Sequence, residues 1–172
     1  MEREEIQRLS PAEAAEKMLQ EHGDRLYRLC CLYLGDAHEA QDAVQEVFLK
    51  VYRHWHTFRY ESAESTWLIR ITVRTCRDIR RNNWFRRVDR SFSAGDESAG
   101  AETKDPFPGD VTRAVMELPE KYRLPVLLHY YQGLPVKEAA SILHIPLNTA
   151  LTRLHRGREI LRCKLTEGGE MR

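Results

Sequence analysis

The sequence lacks an excess of charge of either sign. Its 172 residues include 27 Lys and Arg against 26 Asp and Glu, a formal net charge of +1. It also lacks any run close to the roughly 20 apolar residues that span a bilayer. Its first ten residues, MEREEIQRLS, are charged where a secretory signal would be apolar. We therefore expect a cytoplasmic protein without membrane insertion, in which the placement of charges is more informative than their total.

The usual signatures of catalysis and of metal binding are missing as well. None of the four cysteines has CxxC spacing, and Cys30 and Cys31 are neighbours that a helix points about 100° apart. There is no HExxH, no Gly-rich phosphate loop and no nucleophile elbow. An enzyme or metal protein using His54, His56 and the cysteines thus has no motif behind it. We expect no catalytic residue, metal or cofactor, and interpret the thiols as buried or incidental.

What is present predicts an all-α fold of two small helical domains. The capping box Ser10-Pro11-Ala12-Glu13 begins a first helix, and Gly35-Asp36 ends it. Residues 91–110 are rich in Ser, Gly, Pro and acidic side chains, without apolar periodicity. This composition is typical of a flexible acidic linker. We therefore predict domains at residues 1–90 and 111–172, the second containing a helix-turn-helix.

The first domain carries its acidic and its basic residues on different predicted helices. A second helix, predicted from Ala37 to Trp55, carries Asp42, Gln45 and Glu46 on its polar face, which is either solvated or docked on a basic partner. A third helix, beginning at Ser65 or Thr66, and the residues after it carry eight arginines between positions 70 and 90, against two aspartates. Such a run is often solvated surface, but it also suits phosphates.

Aromatic residues crowd the segment between these helices. Trp55, Phe58, Tyr60 and Trp67 lie among polar residues, and bases of single-stranded nucleic acid stack on such rings. The alternative is that the rings are core. We expect Trp67 and Phe58 to be buried.

The second domain contains two short helices joined by a tight turn. The first is predicted from about Pro135 to Leu143, and the second is capped by Asn148 or Thr149. The second helix presents a face that suits the DNA major groove, although Arg-rich helix ends are also ordinary solvated surface. The face consists of Thr149, Thr152, Arg153, His155, Arg156 and Arg158.

Taken together, these stretches resemble the extracytoplasmic-function (group 4) sigma factors of the sigma-70 family, subunits of bacterial RNA polymerase. The resemblance extends from about Asp24 to Lys164. Leu151 departs from it, because relatives often carry Lys or Arg there. The matching stretches are DAHEAQDAVQEVF from Asp36, STWLIRI from Ser65, LPEKYR from Leu118, PLNT from Pro146 and RLHRGR from Arg153.

The resemblance implies a transcription initiation factor without enzymatic activity. Its partners would be core RNA polymerase, promoter DNA as duplex and as melted non-template strand, and an anti-sigma factor. The polymerase would dock on Asp42, Gln45 and Glu46. The minus-thirty-five element would be read by Thr149, Thr152, Arg153, His155 and Arg156. The minus-ten element would be recognised and melted by Phe58, Arg59, Tyr60, Glu61, Ser62, Ser65, Trp67, Arg70, Arg74 and Arg77.

One alternative from another class stays open at this point. A stand-alone helix-turn-helix regulator would explain the second domain. It would leave the arginines and aromatic residues of the first domain without a role.

Overall fold

The structure is a computed structural model that describes residues 9–59, 62–93 and 109–167, with the backbone alone for 84–93. Every regular element in these ranges is helical, which confirms the predicted all-α fold. The described residues form two compact units, 9–30 with 36–93 and 31–35 with 109–167. We call them the N-terminal unit and the C-terminal unit. Most of the predicted linker, residues 94–108, lies outside the described residues.

The N-terminal unit is built mainly from three helices and a 3₁₀ turn. They are α1 (Pro11–Leu34), α2 (Ala37–His54), the turn Trp55–Thr57 and α3 (Glu64–Ser93). Helix α3 begins before the predicted Ser65 or Thr66 and continues past the predicted start of the linker at Ser91. The long helix therefore carries the arginine run on one continuous element.

Side-chain caps set the starts of the first two helices. The Ser10 amide donates to Glu13 Oε2 at 2.8 Å, and the Glu13 amide donates to Ser10 Oγ at 3.3 Å. This confirms the predicted capping box. The hydrogen bonds from the Ser10 hydroxyl and amide lower the pKa of Glu13. Asp36 caps α2 by accepting from the Glu39 amide at 2.8 Å.

The core of the N-terminal unit lies between α2 and α3, with α1 joined to it. The thiol of Cys76 on α3 approaches that of Cys30 on α1 at 3.5 Å, and both side chains are buried. Buried Thr72 satisfies its hydroxyl by donating to the Leu68 carbonyl. The α2 positions that close this core are Ala40, Ala43, Val47 and Val51. Val44 and Phe48, predicted on the same face, are only half-buried.

The C-terminal unit contains four helices after the last residues of α1. They are α4 (Asp110–Met116), α5 (Glu120–Val126) with a π-helical turn at Leu127–Tyr131, α6 (Val136–Leu143) and α7 (Leu147–Glu167). Helix α7 packs on α4, α5 and α6. Its core joins buried Leu118, Val126 and Leu154 to the half-buried Val136, Ile160 and Leu161. Arg123 braces the unit by donating twice to the Leu118 carbonyl, at 3.1 and 2.9 Å.

Pro125 lies inside an α-helix, where a proline is unusual. Helix α5 begins at Glu120, ahead of Pro125, which is buried inside it. Proline has no N–H to donate to the carbonyl four residues earlier. The backbone then widens into the π turn, in which the Gln132 amide donates to the Leu127 carbonyl at 2.9 Å.

Candidate functional site

The predicted docking residues occupy the outer face of α2. Asp42 and Gln45 are exposed, whereas Glu46 is half-exposed. The Glu46 carboxylate lies 3.7 Å from Lys50 Nζ, which also donates to Thr75 Oγ1 at 3.0 Å. Lys50 thus partly neutralises Glu46, and Asp42 and Gln45 are the more available pair.

Two apolar side chains on this face were missed by the sequence reasoning. Leu49 and Tyr52 are about half exposed, at 48% and 53%. They follow Asp42 and Gln45 at helical spacing, so the four side chains form one stripe. The available signal was the presence of Leu and Tyr on an otherwise polar face. We call Asp42, Gln45, Leu49 and Tyr52 the α2 stripe.

The aromatic residues after α2 form a compact cluster. The Trp55 and Phe58 rings stack with centroids 5.6 Å apart, and the Trp67 ring lies 5.1 Å from Phe58 and 6.1 Å from Trp55. Trp55 and Phe58 are only 7% exposed, and Trp55 Nε1 donates to the Leu9 carbonyl at 3.2 Å. Trp67 is half-buried, so the expectation that it is buried was wrong. Trp55 takes the interior position, which leaves Trp67 at the rim.

This packing changes what each ring can offer to a base. Phe58 was predicted to contact DNA, but its buried ring leaves it little surface for stacking. Of the predicted loop residues, Arg59 is exposed, and Ser62 and Ser65 are half-exposed. Tyr60 and Glu61 lie outside the described residues.

The predicted arginines of α3 share a face with Trp67. Arg70 and Arg74 are exposed and Arg77 is half-exposed. Their spacing from Trp67 places all four on one side of the helix. Arg81 continues the stripe but is paired with Asp78, at 3.0 Å between Nη2 and Oδ1. The structure therefore brings one ring and three guanidiniums onto a single surface.

In the C-terminal unit, α6 ends in a left-handed cap that sets the turn. His144 has φ 55°, and its amide donates to the Ser141 carbonyl at 3.2 Å. The Ile145 amide donates to the Ala140 carbonyl at 3.1 Å, which completes a Schellman motif. Helix α7 begins at Leu147, so the prediction that Asn148 or Thr149 caps it was wrong. Both lie in its first turn, where their side chains are available to a ligand.

A groove of about 470 Å³ separates the start of α5 from α7. Four of the five residues predicted to read the minus-thirty-five element line it, and His155 does not. Lys121 also lines it, with Nζ 4.9 Å from the Tyr122 ring centroid. The lining residues are Lys121, Tyr122, Asn148, Thr149, Thr152, Arg153 and Arg156. Sequence reasoning missed Lys121, Tyr122 and Asn148, although all three fall in the stretches that carried the resemblance.

The polar groups of α7 already have internal partners. Thr152 Oγ1 donates to the Asn148 carbonyl at 2.9 Å. Glu159 lies 3.0 Å from Arg156 Nη1 and 3.4 Å from His155 Nε2. Because the ion pair between Arg156 and Glu159 is exposed, it contributes no more than about 1 kcal/mol. A phosphate or a guanine edge can therefore replace Glu159 as the partner of Arg156.

Gly157 determines how closely α5 and α7 approach beneath the groove. A Cβ at this position would lie 2.8 Å from Val126 Cγ2 and 3.6 Å from the Tyr122 carbonyl oxygen. No larger residue fits unless the Val126 side chain, or α5 with it, shifts. The width of the groove therefore depends on this glycine.

The described residues lack a metal-binding cluster and a membrane-spanning helix. Residues 9–59, 62–93 and 109–167 contain no group of three or more His, Cys, Asp or Glu that could hold a metal ion. Among the helices in those ranges, none combines the length and the apolar character that a membrane crossing requires.

Comparison with known proteins identifies the family of each half. Residues 18–86 match the family "Sigma-70 region 2", and residues 109–161 match "Sigma-70, region 4". The chain is 32% identical over 163 residues to the ECF RNA polymerase sigma factor SigW of Bacillus subtilis (strain 168), covering 84% of each protein. The chain belongs to the extracytoplasmic-function sigma factors of the sigma-70 family.

Two further comparisons agree with the assignment of this sigma factor. The RNA polymerase sigma-H factor of Pseudomonas aeruginosa (strain PAO1) is 30% identical over 151 residues, covering 80% of this chain and 78% of that protein. The fold is similar to the sigma factor RpoE from Bartonella quintana, solved in complex with the anti-sigma factor NepR. That likeness has a TM-score of 0.73 and 22% identity, and it covers 88% of this chain and 96% of that one.

Membership of the family establishes what the sigma factor does. It is a DNA-binding transcription initiation factor, without enzymatic activity, that directs core RNA polymerase to promoters. The hypothesis of an enzyme is thereby excluded. The stand-alone regulator is excluded too, because it has no use for region 2.

Proposed function

We propose that the two units divide promoter recognition between them. The N-terminal unit binds core polymerase and melts the minus-ten element, and the C-terminal unit reads the minus-thirty-five element. The observation that carries this division is the groove between α5 and α7. It gathers hydroxyl, amide and cationic groups from two helices around the recognition helix of a helix-turn-helix. Such groups bind phosphates and base edges.

Within the C-terminal unit, the two sides of the groove perform different tasks. Lys121 on α5 holds a backbone phosphate and so positions the unit on the duplex, whereas side chains of α7 contact bases. Arg156 exchanges Glu159 for the edge of a guanine, and Arg153, Thr149 and Thr152 lie beside it. His155 contacts DNA from the other edge of the helix.

Within the N-terminal unit, single-stranded DNA follows the surface made by Trp67, Arg70, Arg74 and Arg77. The half-exposed Trp67 ring stacks on a base, and the arginines hold phosphates. Arg59, Ser62 and Ser65 lie beside the same surface. Tyr60 and Glu61 remain DNA contacts predicted from the sequence alone. Phe58 supports Trp67 from below. Stacking on an aromatic ring contributes about 1 to 3 kcal/mol per base, which offsets part of the cost of melting.

The α2 stripe is the docking surface for core polymerase. Asp42 supplies negative charge, Gln45 supplies hydrogen bonds, and Leu49 and Tyr52 supply apolar area at the centre. Glu46 lies at the margin, shared with Lys50. Exposed apolar side chains bordered by polar groups are typical of protein interfaces.

Regulation and location complete the proposal. The similarity to a sigma factor solved with its anti-sigma factor supports control of this chain by such a partner. Because core polymerase is a cytoplasmic enzyme, we place the protein in the cytoplasm.

The proposal is tested by co-elution of the purified protein with bacterial core RNA polymerase. We expect the parent to bind and the double variant Asp42→Arg, Gln45→Ala to bind about tenfold or more weakly, because charge reversal at an interface is repulsive. The matched control is Glu16→Arg, Gln20→Ala on α1. These two residues are likewise an exposed carboxylate and an exposed amide on one helix face, and Gln20 Nε2 donates to Glu16 Oε1 at 3.5 Å.

Two results would contradict the proposal. If the parent does not bind core polymerase, the division of labour is wrong. If the α1 control weakens binding as much as the α2 variant, docking is not confined to the α2 stripe.

A further inference from the structure

Two leucines are exposed on the recognition helix. Leu147 is 45% exposed and Leu151 is 48% exposed. They lie one turn apart on the same side of α7, in its first two turns. Their neighbours on that side are Asn148, Thr152 and His155, all exposed and polar. The pair is therefore an apolar spot inside the face that meets DNA.

The major groove contains one apolar group that such a spot can recognise. Among the base edges there, only thymine presents a methyl group, at C5. In a helix-turn-helix, residues near the start of the second helix reach the base edges. We propose that Leu151, flanked by Leu147, selects thymine in the upstream promoter element by packing against its methyl group. This inference rests on the proposed function of the C-terminal unit.

The surroundings favour DNA over a protein as the occupant. Two leucine side chains are too small an area to hold a protein partner, which needs about 800 Å² on each side. The pair adjoins Asn148 and Thr152, which line the groove together with Arg153 and Arg156, so a ligand that fills the groove meets guanidiniums and reaches the leucines at its edge. A nucleic acid with phosphates on both sides of a methyl-bearing base edge satisfies both requirements.

The test removes only the C5 methyl group of thymine. The full chain, bound to core polymerase, first selects upstream sequences from a duplex library randomised in that element. Each thymine of a selected duplex is then replaced in turn by uracil, which keeps every hydrogen-bonding group. We expect the parent to bind about fourfold more weakly at one or two positions, the factor that corresponds to roughly 0.8 kcal/mol for one buried methyl-sized group.

The variants are Leu151→Ala and, as a matched control, Leu165→Ala. Leu165 is a leucine near the end of the same helix, 37% exposed. We expect Leu151→Ala to bind thymine and uracil duplexes equally, and Leu165→Ala to keep the fourfold preference of the parent. Because Leu151 is exposed, its truncation leaves the fold intact.

Four results would overturn the inference. The parent could be indifferent to uracil at every position, which would leave the proposed function standing. Leu151→Ala could retain the full preference for thymine or could alter only binding to a protein partner. Finally, the parent holoenzyme could select no upstream sequence at all, and then the proposed function of the C-terminal unit fails as well.

Discussion

The two units differ in how openly they present their candidate DNA contacts. In the C-terminal unit, the contacts come from regular helices and border an open groove. In the N-terminal unit, the rings of Trp55 and Phe58 are buried against each other, and Trp67 is the half-exposed member of this three-ring cluster. The N-terminal unit thus uses two buried rings, those of Trp55 and Phe58, to position the ring of Trp67. The difference shows that a residue type suited to a ligand is not evidence of contact until its packing is known.

The largest predicted effect on stability distinguishes the buried Trp55 from the half-buried Trp67. We expect Trp55→Ala to reduce the free energy of unfolding of the N-terminal unit by about 3 to 5 kcal/mol, because it leaves a cavity and removes a hydrogen-bond donor. Trp67→Ala should cost less stability and instead reduce promoter melting. Urea unfolding measures the first effect, and permanganate reactivity of unpaired thymines measures the second. Equal destabilisation by both variants would contradict the distinction.

A smaller effect on stability is expected when one glycine in each unit is replaced by alanine. We expect Gly157→Ala to destabilise the C-terminal unit by about 1 to 2 kcal/mol, because buried Val126 cannot move away from the new Cβ. Gly23→Ala in α1 should instead stabilise by up to about 1 kcal/mol, the gain in helix propensity. Its new Cβ would lie 3.1 Å from Leu19 Cδ1, which belongs to an exposed side chain that can rotate.

Thermal unfolding of the two alanine variants and of the parent shows whether each substitution raises or lowers the stability. If Gly157→Ala were stabilising, α5 could move away from α7 at little cost, and the width of the groove would not depend on this glycine.

The smallest effect concerns an exposed ion pair of the C-terminal unit. Glu117 Oε2 accepts from Lys164 Nζ at 2.5 Å, and this hydrogen bond with the lysine charge lowers the pKa of Glu117 from its ordinary 4.5. A lowered folded pKa adds stability above the ordinary value, and that stability is lost as the pH falls through the lowered one. We expect Glu117→Gln to lower the midpoint of thermal unfolding slightly at pH 7 and not at pH 3. A difference that persists at pH 3 would assign the effect to lost packing.

The regular elements were the most predictable part of the chain. The capping box at Ser10 and Glu13 was confirmed, because all of its groups lie within one helical turn. The helix-turn-helix was found for a similar reason, since Pro135 and the apolar spacing of α6 are local signals. The cap of α7 was placed wrongly at Asn148 or Thr149, because the helix begins directly after Pro146.

Other features could not be predicted, because they depend on distant residues. Trp67 was expected to be buried, but Trp55 occupies the interior and finds the Leu9 carbonyl 46 residues away. Lys121 joined the groove only through the packing of α5 on α7. Nothing in the neighbouring sequence requires glycine at position 157. Glycine fits there because an added Cβ would lie 2.8 Å from Val126 Cγ2 on another helix.

The sequence by itself determined the all-helical class, the family and the face of α7 that carries the residues proposed to read DNA. These follow from helical periodicity and from short motifs, which are properties of neighbouring residues. Only the tertiary structure decided which rings are buried and which helix completes the groove. It also decided that Leu147 and Leu151 lie exposed among polar groups. Burial depends on what other elements cover, and no local pattern records that.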